Sequence, residues 1–309
     1  MLDPSKSLRV GAQVALLLIF FSVVPAAHAL EFDRYHEQSE IAAYLRQVAV
    51  DYPDHVQFVL MGQSAEGREI AYIRLTAPGD RSGRGAIYLN GTHHGNEKSS
   101  TEGMLGVIDF LLERLDDPFV EELLTSYELY LQPLVNPDGH ARNTRGDSRG
   151  RDPNRDYAYP GRSEAQSFDL PEIQLVKELV DTTEPAAAIA MHSGMEGVLW
   201  PWCFTGERTP DHDIFLNLSR WAAGAMEMSL YRQSYYDYPT RGEFIDYVYM
   251  KFGTLGVTFE VSRQPTPRER DLAYYVTKTI QGTMAYLEGI SNLETWREDI
   301  GRDVVISAR

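Results

Sequence analysis

The chain has 309 residues, 43% of them hydrophobic, and a formal net charge of −16 at pH 7. Without repeats or low-complexity blocks it reads as one large globular domain, and its acidity argues against nucleic acid and anionic membrane surfaces as partners. Cys203 is the only cysteine, which excludes an intramolecular disulfide; a domain of this size can rest on its core alone.

Lys6 and Arg9 precede an apolar run over residues 10–24, followed by Pro25-Ala26-Ala27-His28-Ala29. At about 15 residues the run falls short of the roughly 20 needed to span a bilayer, and Ala27 and Ala29 form a small-x-small cleavage site. Residues 1–29 therefore read as a secretory signal peptide, with a retained anchor as the alternative, 30–300 as one domain and 301–309 as a tail. Cleavage removes Lys6, Arg9 and Asp3, leaving the mature chain slightly more acidic. The expected location is the periplasm or the exterior of a bacterium, with no stable membrane association after cleavage. Asn90-Gly91-Thr92 is formally a glycosylation sequon, but a glycan there would block the metal motif described below, so it reads as coincidental.

In chain order, a helix is predicted over residues 39–52, with Ile41, Tyr44, Leu45 and Val48 on one face. A strand pair over 56–61 and 69–75 follows, joined by a turn containing Gly62, Gly67 and Arg68. Residues 86–90 form a short apolar strand running into His94-Gly95-Asn96-Glu97, and a helix over 100–115 buries Met104, Val107, Ile108 and Leu111. A strand is predicted over 127–133, then a loop over 136–168 rich in Arg, Asp, Gly and Asn; a loop of that length is usually functional or disordered. Helix over 171–181, strand over 186–191, helix over 213–228, strand over 255–260 and helix over 268–287 complete the pattern. The alternation predicts a single α/β domain with a mainly parallel, mixed sheet and helices on both faces.

His94, His192 and Glu260 each fall at the C-terminal end of a predicted strand, where open α/β sheets bind their ligands. His94 and Glu97, three apart, can converge on one ion, and His192 completes a two-histidine, one-carboxylate set that leaves a zinc position open. His93 is the competitor at spacing four, but Gly95 argues against a regular helix there. Glu260 sits in the apolar run Thr258-Phe259-Glu260-Val261. A charge so placed needs a partner or a task; the candidates are a salt bridge and a general base beside activated water. The loop carries Arg142, Arg145, Asn154 and Arg155, and clustered arginines in an acidic protein suggest carboxylate recognition.

The landmarks Gly62-Gln-Ser-Ala-Glu-Gly-Arg68, His94/Glu97, Asn136-Pro137-Asp138-Gly139, Asn154-Arg155, His192-Ser193 and Phe259-Glu260 occur in that order. Together they resemble the carboxypeptidase A-like family of zinc metallocarboxypeptidases, in its bacterial-type branch, over residues 35–287. Carboxypeptidase A is a type example of a two-histidine, one-glutamate catalytic zinc site. The resemblance implies that His94, Glu97 and His192 bind one zinc ion per chain, with Asp152 orienting the first histidine. It implies that Arg145 polarises the scissile carbonyl and that Arg142, Asn154 and Arg155 contact substrate, the last two gripping its C-terminal carboxylate. Counting back without gaps from Glu260, it puts Tyr238 on the mobile tyrosine that closes over substrate, with Tyr235 and Tyr236 as rivals. The same count puts Ile245 at the base of the specificity pocket, favouring an apolar side chain; a shift of one residue would put Asp246 there and favour Lys or Arg.

The implied reaction is hydrolysis of a C-terminal peptide bond through a zinc-activated water, with Glu260 as general base. The chain would act as a monomer on a peptide with a free C-terminal carboxylate. Departures from the family pattern are Gly194 in place of a tyrosine, Asn96 in place of a substrate-contacting arginine, and a short interval between Glu97 and His192. Alternative readings are a periplasmic peptidase cutting cell-wall (murein) peptides, an N-acyl amino acid deacylase sharing the His-Gly-Asn-Glu motif, and a catalytically dead peptide-binding module.

Overall fold

The computed structural model describes residues 30–293, so the expected signal peptide and the 301–309 tail lie outside the described residues. Helix α1 (Gln38–Asp51) starts on a reciprocal capping box between Glu37 and Glu40 and buries the expected stripe of Ile41, Tyr44, Leu45 and Val48. Strands β1 (Val56–Gln63), β2 (Glu69–Leu75) and β3 (Gly85–Gly91) lead to helix α2 (Lys98–Leu112). Next come α3 (Pro118–Ser126), β4 (Tyr127–Gln132), α4 (Pro137–Arg142), α5 (Pro171–Thr183), β5 (Ala187–His192) and β6 (Met195–Trp200). The remaining elements are α6 (His212–Ala225), β7 (Tyr231–Gln233), α7 (Phe244–Phe252), β8 (Leu255–Ser262) and α8 (Leu272–Ser291). No helix among the described residues is long and apolar enough to cross a membrane.

Five of these elements, α3, α4, α7, β6 and β7, have no counterpart in the sequence reading. They are short, and their starts and stops are side-chain events rather than periodic patterns. Asp117 caps α3 by accepting from Phe119 N and Val120 N, Asn136 caps α4, and Gly253 ends α7 in the left-handed conformation at φ 72°. The last helix begins later than expected, because residues Glu269–Asp271 form a separate 3-10 turn.

The eight strands form one mixed sheet in the order β1-β2-β4-β3-β5-β8-β6-β7. The centre, β4-β3-β5-β8, is parallel, while β1-β2, β2-β4 and β6-β8 are antiparallel. Successive side chains alternate faces. Ile189 and Met191 of β5, with Val257 and Phe259 of β8, join the apolar layer shared with α2, α6 and α8. Ala188 and Ala190 face the opposite layer, packed by α5 and α7. Continuing that alternation carries His192 to the end of β5 on the α5–α7 face, and the β5–β8 register sets it beside Glu260.

Candidate active site

After β3 the chain turns at Thr92, which is left-handed at φ 63°, with its hydroxyl 2.8 Å from Ser100 Oγ and also bonded to Thr101. The turn requires Gly95: a Cβ there would lie 2.0 Å from the Gly139 carbonyl carbon. His94 and Glu97 therefore meet in a turn ahead of α2, closed by Glu97 N donating to His94 O at 3.0 Å.

The motifs that flank this turn are braces. Asn136 Nδ2 donates to His93 O at 3.1 Å and to Gly146 O at 3.2 Å, tying the arginine loop to the histidine turn. Asp138 accepts from Ser64 Oγ at 2.6 Å, Glu66 N at 3.1 Å and Arg68 at 2.7 Å. The Gly62–Arg68 and Asn136–Gly139 segments, which share no local pattern in the sequence, thus form one hydrogen-bonded unit behind the site.

His94, Glu97 and His192 are 4%, 4% and 2% exposed, and one donor atom from each lies within 4.8 Å of the others. His94 Nδ1 is 2.8 Å from Glu97 Oε1, His192 Nδ1 is 2.8 Å from Glu97 Oε2, and the two Nδ1 atoms are 3.1 Å apart. Bonds of about 2.0–2.2 Å to a tetrahedral zinc separate its ligand atoms by roughly 3.4 Å, a few tenths more than these edges. Two imidazole nitrogens pointed at one another and at a carboxylate suit a shared cation, so this donor set fits zinc.

The electrostatics agree. Burial disfavours charge on His94, but Glu97 and Asp152 outweigh it and raise its pKa to about 9. Burial would raise Glu97, yet His94 and His192 hold it well below the usual carboxylate range. Asp152 is likewise held low by His94 and Arg145 against the effect of burial. Carboxylates on both sides of the His94 ring create a field that favours positive charge.

His93 faces away from the cluster. Its Nε2 lies 2.7 Å from Tyr157 Oη and its ring stacks on His192 at 5.6 Å. Burial pushes its pKa well below the ordinary histidine value. It is a neutral prop for His192, and the donor cluster is built on His94.

Glu260 lies next to His192 across the β5–β8 ladder, with Gly197 of β6 on its other side. Its Oε2 is sealed from solvent and has no hydrogen-bond partner. Burial, then the charge of Glu97, pushes this carboxyl well above the usual range, while His94 and Arg145 pull it down. No arginine salt bridge holds it among the ion pairs of the described residues.

Arg145 reaches the cluster from the loop, with Nη1 3.3 Å from Glu97 Oε1 and Nε 3.1 Å from Asp152 Oδ2. Asp152 Oδ1 is 2.9 Å from His94 Nε2. Asn154 is fixed by accepting from Phe244 N of α7 at 2.9 Å, and its Nδ2 lies 3.5 Å from His192 Nε2. Arg155 donates to Tyr238 Oη at 3.4 Å. Tyr236 instead bonds Gly206 O, and Tyr235 packs beside both. Arg142 is not brought to the cluster: it pairs with Glu66 and donates to Ser148 O at 2.7 Å.

Ile245 is 1% exposed, in the apolar layer with Tyr88 and Val248. Asp246, 2% exposed, accepts from Cys203 N at 2.9 Å. Burial, with Glu243 next, pushes its pKa up to about 7. Glu243 is not among the sequence-predicted site residues. At the start of α7 its side chain is 10% exposed, with Oε1 3.2 Å from Arg155 Nη1 and Oε2 accepting from Cys203 Sγ at 3.3 Å. It also raises Glu260 and Tyr238 electrostatically. Its only sequence signal is an acid just ahead of the apolar helix Phe244–Phe252, a common N-terminal helix feature that gives no hint of Arg155.

A family model described as zinc carboxypeptidase matches residues 41–282. The chain is 25% identical to carboxypeptidase M of Mus musculus over 302 residues, covering 87% of this chain and 68% of that protein. It is 24% identical to carboxypeptidase D of Rattus norvegicus over 300 residues, covering 83% of this chain and 21% of that protein. The chain thus spans about a fifth of the longer relative. The fold is similar to the crystal structure of carboxypeptidase A from Helicoverpa armigera, with a TM-score of 0.77 and 18% identity over 86% of this chain and 76% of that one.

Proposed function

The chain belongs to the zinc carboxypeptidase family, and on that premise we propose that it hydrolyses the C-terminal bond of peptides with Glu260 as general base. The observation that carries this reading is the Glu260 carboxylate, unpartnered and beside His192 in the β5–β8 register. His94, Glu97 and His192 would hold zinc, which when bound would supply the Lewis acidity to polarise a carbonyl and acidify water.

The chain's own groups do the rest. Glu260, raised by burial, takes a proton from the attacking water and returns it to the leaving amine. Arg145, anchored on Asp152, turns its guanidinium toward the developing oxyanion. Asn154, Arg155 and Tyr238 hold the terminal carboxylate and set the exopeptidase register, with Arg142 outside this group. In this reading Ile245 stands at the base of the specificity pocket, with Asp246 as its rival. Export and removal of residues 1–29 belong to the same reading, as does action as a monomer. Glu260→Gln is expected to keep zinc while losing at least about 100-fold in kcat; near-normal turnover in that variant would overturn the assignment.

A second reading concerns the substrate. Glu243 beside Arg155 pairs an anion with the carboxylate clamp, which suits a terminal residue carrying its own ammonium or guanidinium group. Lysine, arginine and the diaminopimelate of cell-wall peptides have that chemistry. A panel of blocked dipeptides varied at the C-terminal residue, run beside murein fragments and N-acyl amino acids, separates these substrates. Absence of hydrolysis across the panel by zinc-loaded protein would favour a peptide-binding module.

A further inference from the structure

The segment ahead of α1 lies along one face of α2. His36 N donates to Glu102 Oε1 at 2.7 Å and its Nδ1 lies 2.8 Å from Glu102 Oε2. Phe32 comes next, its ring 3.6 Å from where a Cβ on Gly106 would sit. Leu30 packs against the same apolar layer, and its backbone nitrogen donates to Asp109 Oδ2 at 3.0 Å. Glu102, Gly106 and Asp109 are spaced four and three apart, as one helical face requires.

Asp109 is half-buried, and its other oxygen accepts from Tyr44 Oη of α1. The groups acting on it are Tyr44 from α1, Tyr52 just past its end, Glu113 just past the end of α2 and His36 from the segment itself. Burial raises its pKa, opposed by the bonds from Tyr44 and Leu30 N. Both donors to this carboxyl, a phenol and a peptide N–H, are neutral, and an ammonium in place of the N–H would make the stronger, charge-assisted bond.

We infer that Asp109 is the receptor for a processed N-terminus: hydrolysis of the Ala29–Leu30 bond frees the α-ammonium of Leu30, which docks on this carboxylate. Water adds across the peptide bond, leaving a carboxylate on Ala29 and an ammonium on Leu30. The agent is an endopeptidase that reads the small residues Ala27 and Ala29. The nitrogen that donates to Asp109 as an amide then becomes a cation at the same position, and a charge-assisted bond is roughly twice as strong as a neutral one. Processing thereby locks the 30–36 segment onto α2; the inference rests on the removal of residues 1–29 proposed above but on none of the catalytic residues.

The test uses the full chain expressed in a bacterial host that exports it. Intact mass of the exported protein is expected to correspond to a chain starting at Leu30. The pH dependence of Nα-labelling then reports the pKa of the Leu30 amine. In folded wild-type protein it is expected about one unit above the roughly 7.7–8.0 of a free α-amine, and near that free value in Asp109→Asn. If Asp109→Asn fails to fold, the same titration of wild-type protein in urea supplies the reference. A product beginning elsewhere, or an amine pKa equal in the folded protein and its reference, would overturn the inference.

Discussion

Asp152 Oδ1 lies 2.9 Å from His94 Nε2, on the side of the imidazole opposite the donor cluster. A histidine can hold a metal through one nitrogen only if the other carries the proton, and a carboxylate acceptor fixes that tautomer. Asp152 is itself fixed, accepting from Asn154 N at 2.9 Å.

Asp152→Asn is therefore expected to weaken zinc binding by about 10–100-fold, read by competition with a chromophoric chelator. Unchanged zinc affinity would mean that the ring is oriented by packing alone. Stripping zinc from the wild-type protein with a chelator should abolish turnover, and adding zinc back should restore it.

Glu243 and Arg155 make the clearest specificity experiment. Glu243→Gln keeps the size of the side chain but removes its charge. The ratio of kcat/KM for C-terminal Lys or Arg over C-terminal Leu or Phe should fall by roughly 10–100-fold, the weight of a partly buried charge pair. A ratio that stays constant would show that Glu243 only restrains Arg155.

Asp246 gives a pH prediction with a definite sign. Its folded pKa is raised to about 7 from an ordinary 3.8, so the folded state holds the proton more tightly than the unfolded chain. The resulting stabilisation is present below about pH 4 and is lost as pH rises through 7. Urea unfolding of wild type and Asp246→Asn at pH 5 and pH 8 should show the difference moving in the variant's favour at the higher pH. A constant difference would refute the linkage.

Two glycines offer a contrast in backbone space. Gly95→Ala should cost at least about 3 kcal/mol and disrupt zinc binding, because its Cβ would fall 2.0 Å from backbone at Gly139. Gly224→Ala, in α6 with nothing within 4 Å of the added carbon, should be neutral or stabilise by up to about 1 kcal/mol. Thermal unfolding and zinc content measure both.

The apolar runs at β3, β5 and β8 are long and continuous enough to be read directly, as is the stripe of α1. That reading sets His94 just beyond β3 and His192 at the end of β5. Glu260 falls two residues before β8 ends. Gly95 in the sequence already argues for a turn over a helix, and so for His94 over His93.

The sequence by itself determined which residue types stand at the strand ends, because burial periodicity and turn chemistry act over a few neighbouring positions. Only the tertiary structure decided which of them meet. His192 faces Glu260 through the β5–β8 register, Tyr238 rather than Tyr235 or Tyr236 reaches Arg155, and Arg142 turns away to Glu66. Glu243 and Arg155, far apart in the chain, likewise become partners only in the fold. Strand order, register and the path of a long polar loop fix such distances through packing across the whole domain, and no local pattern of apolar and polar residues encodes them.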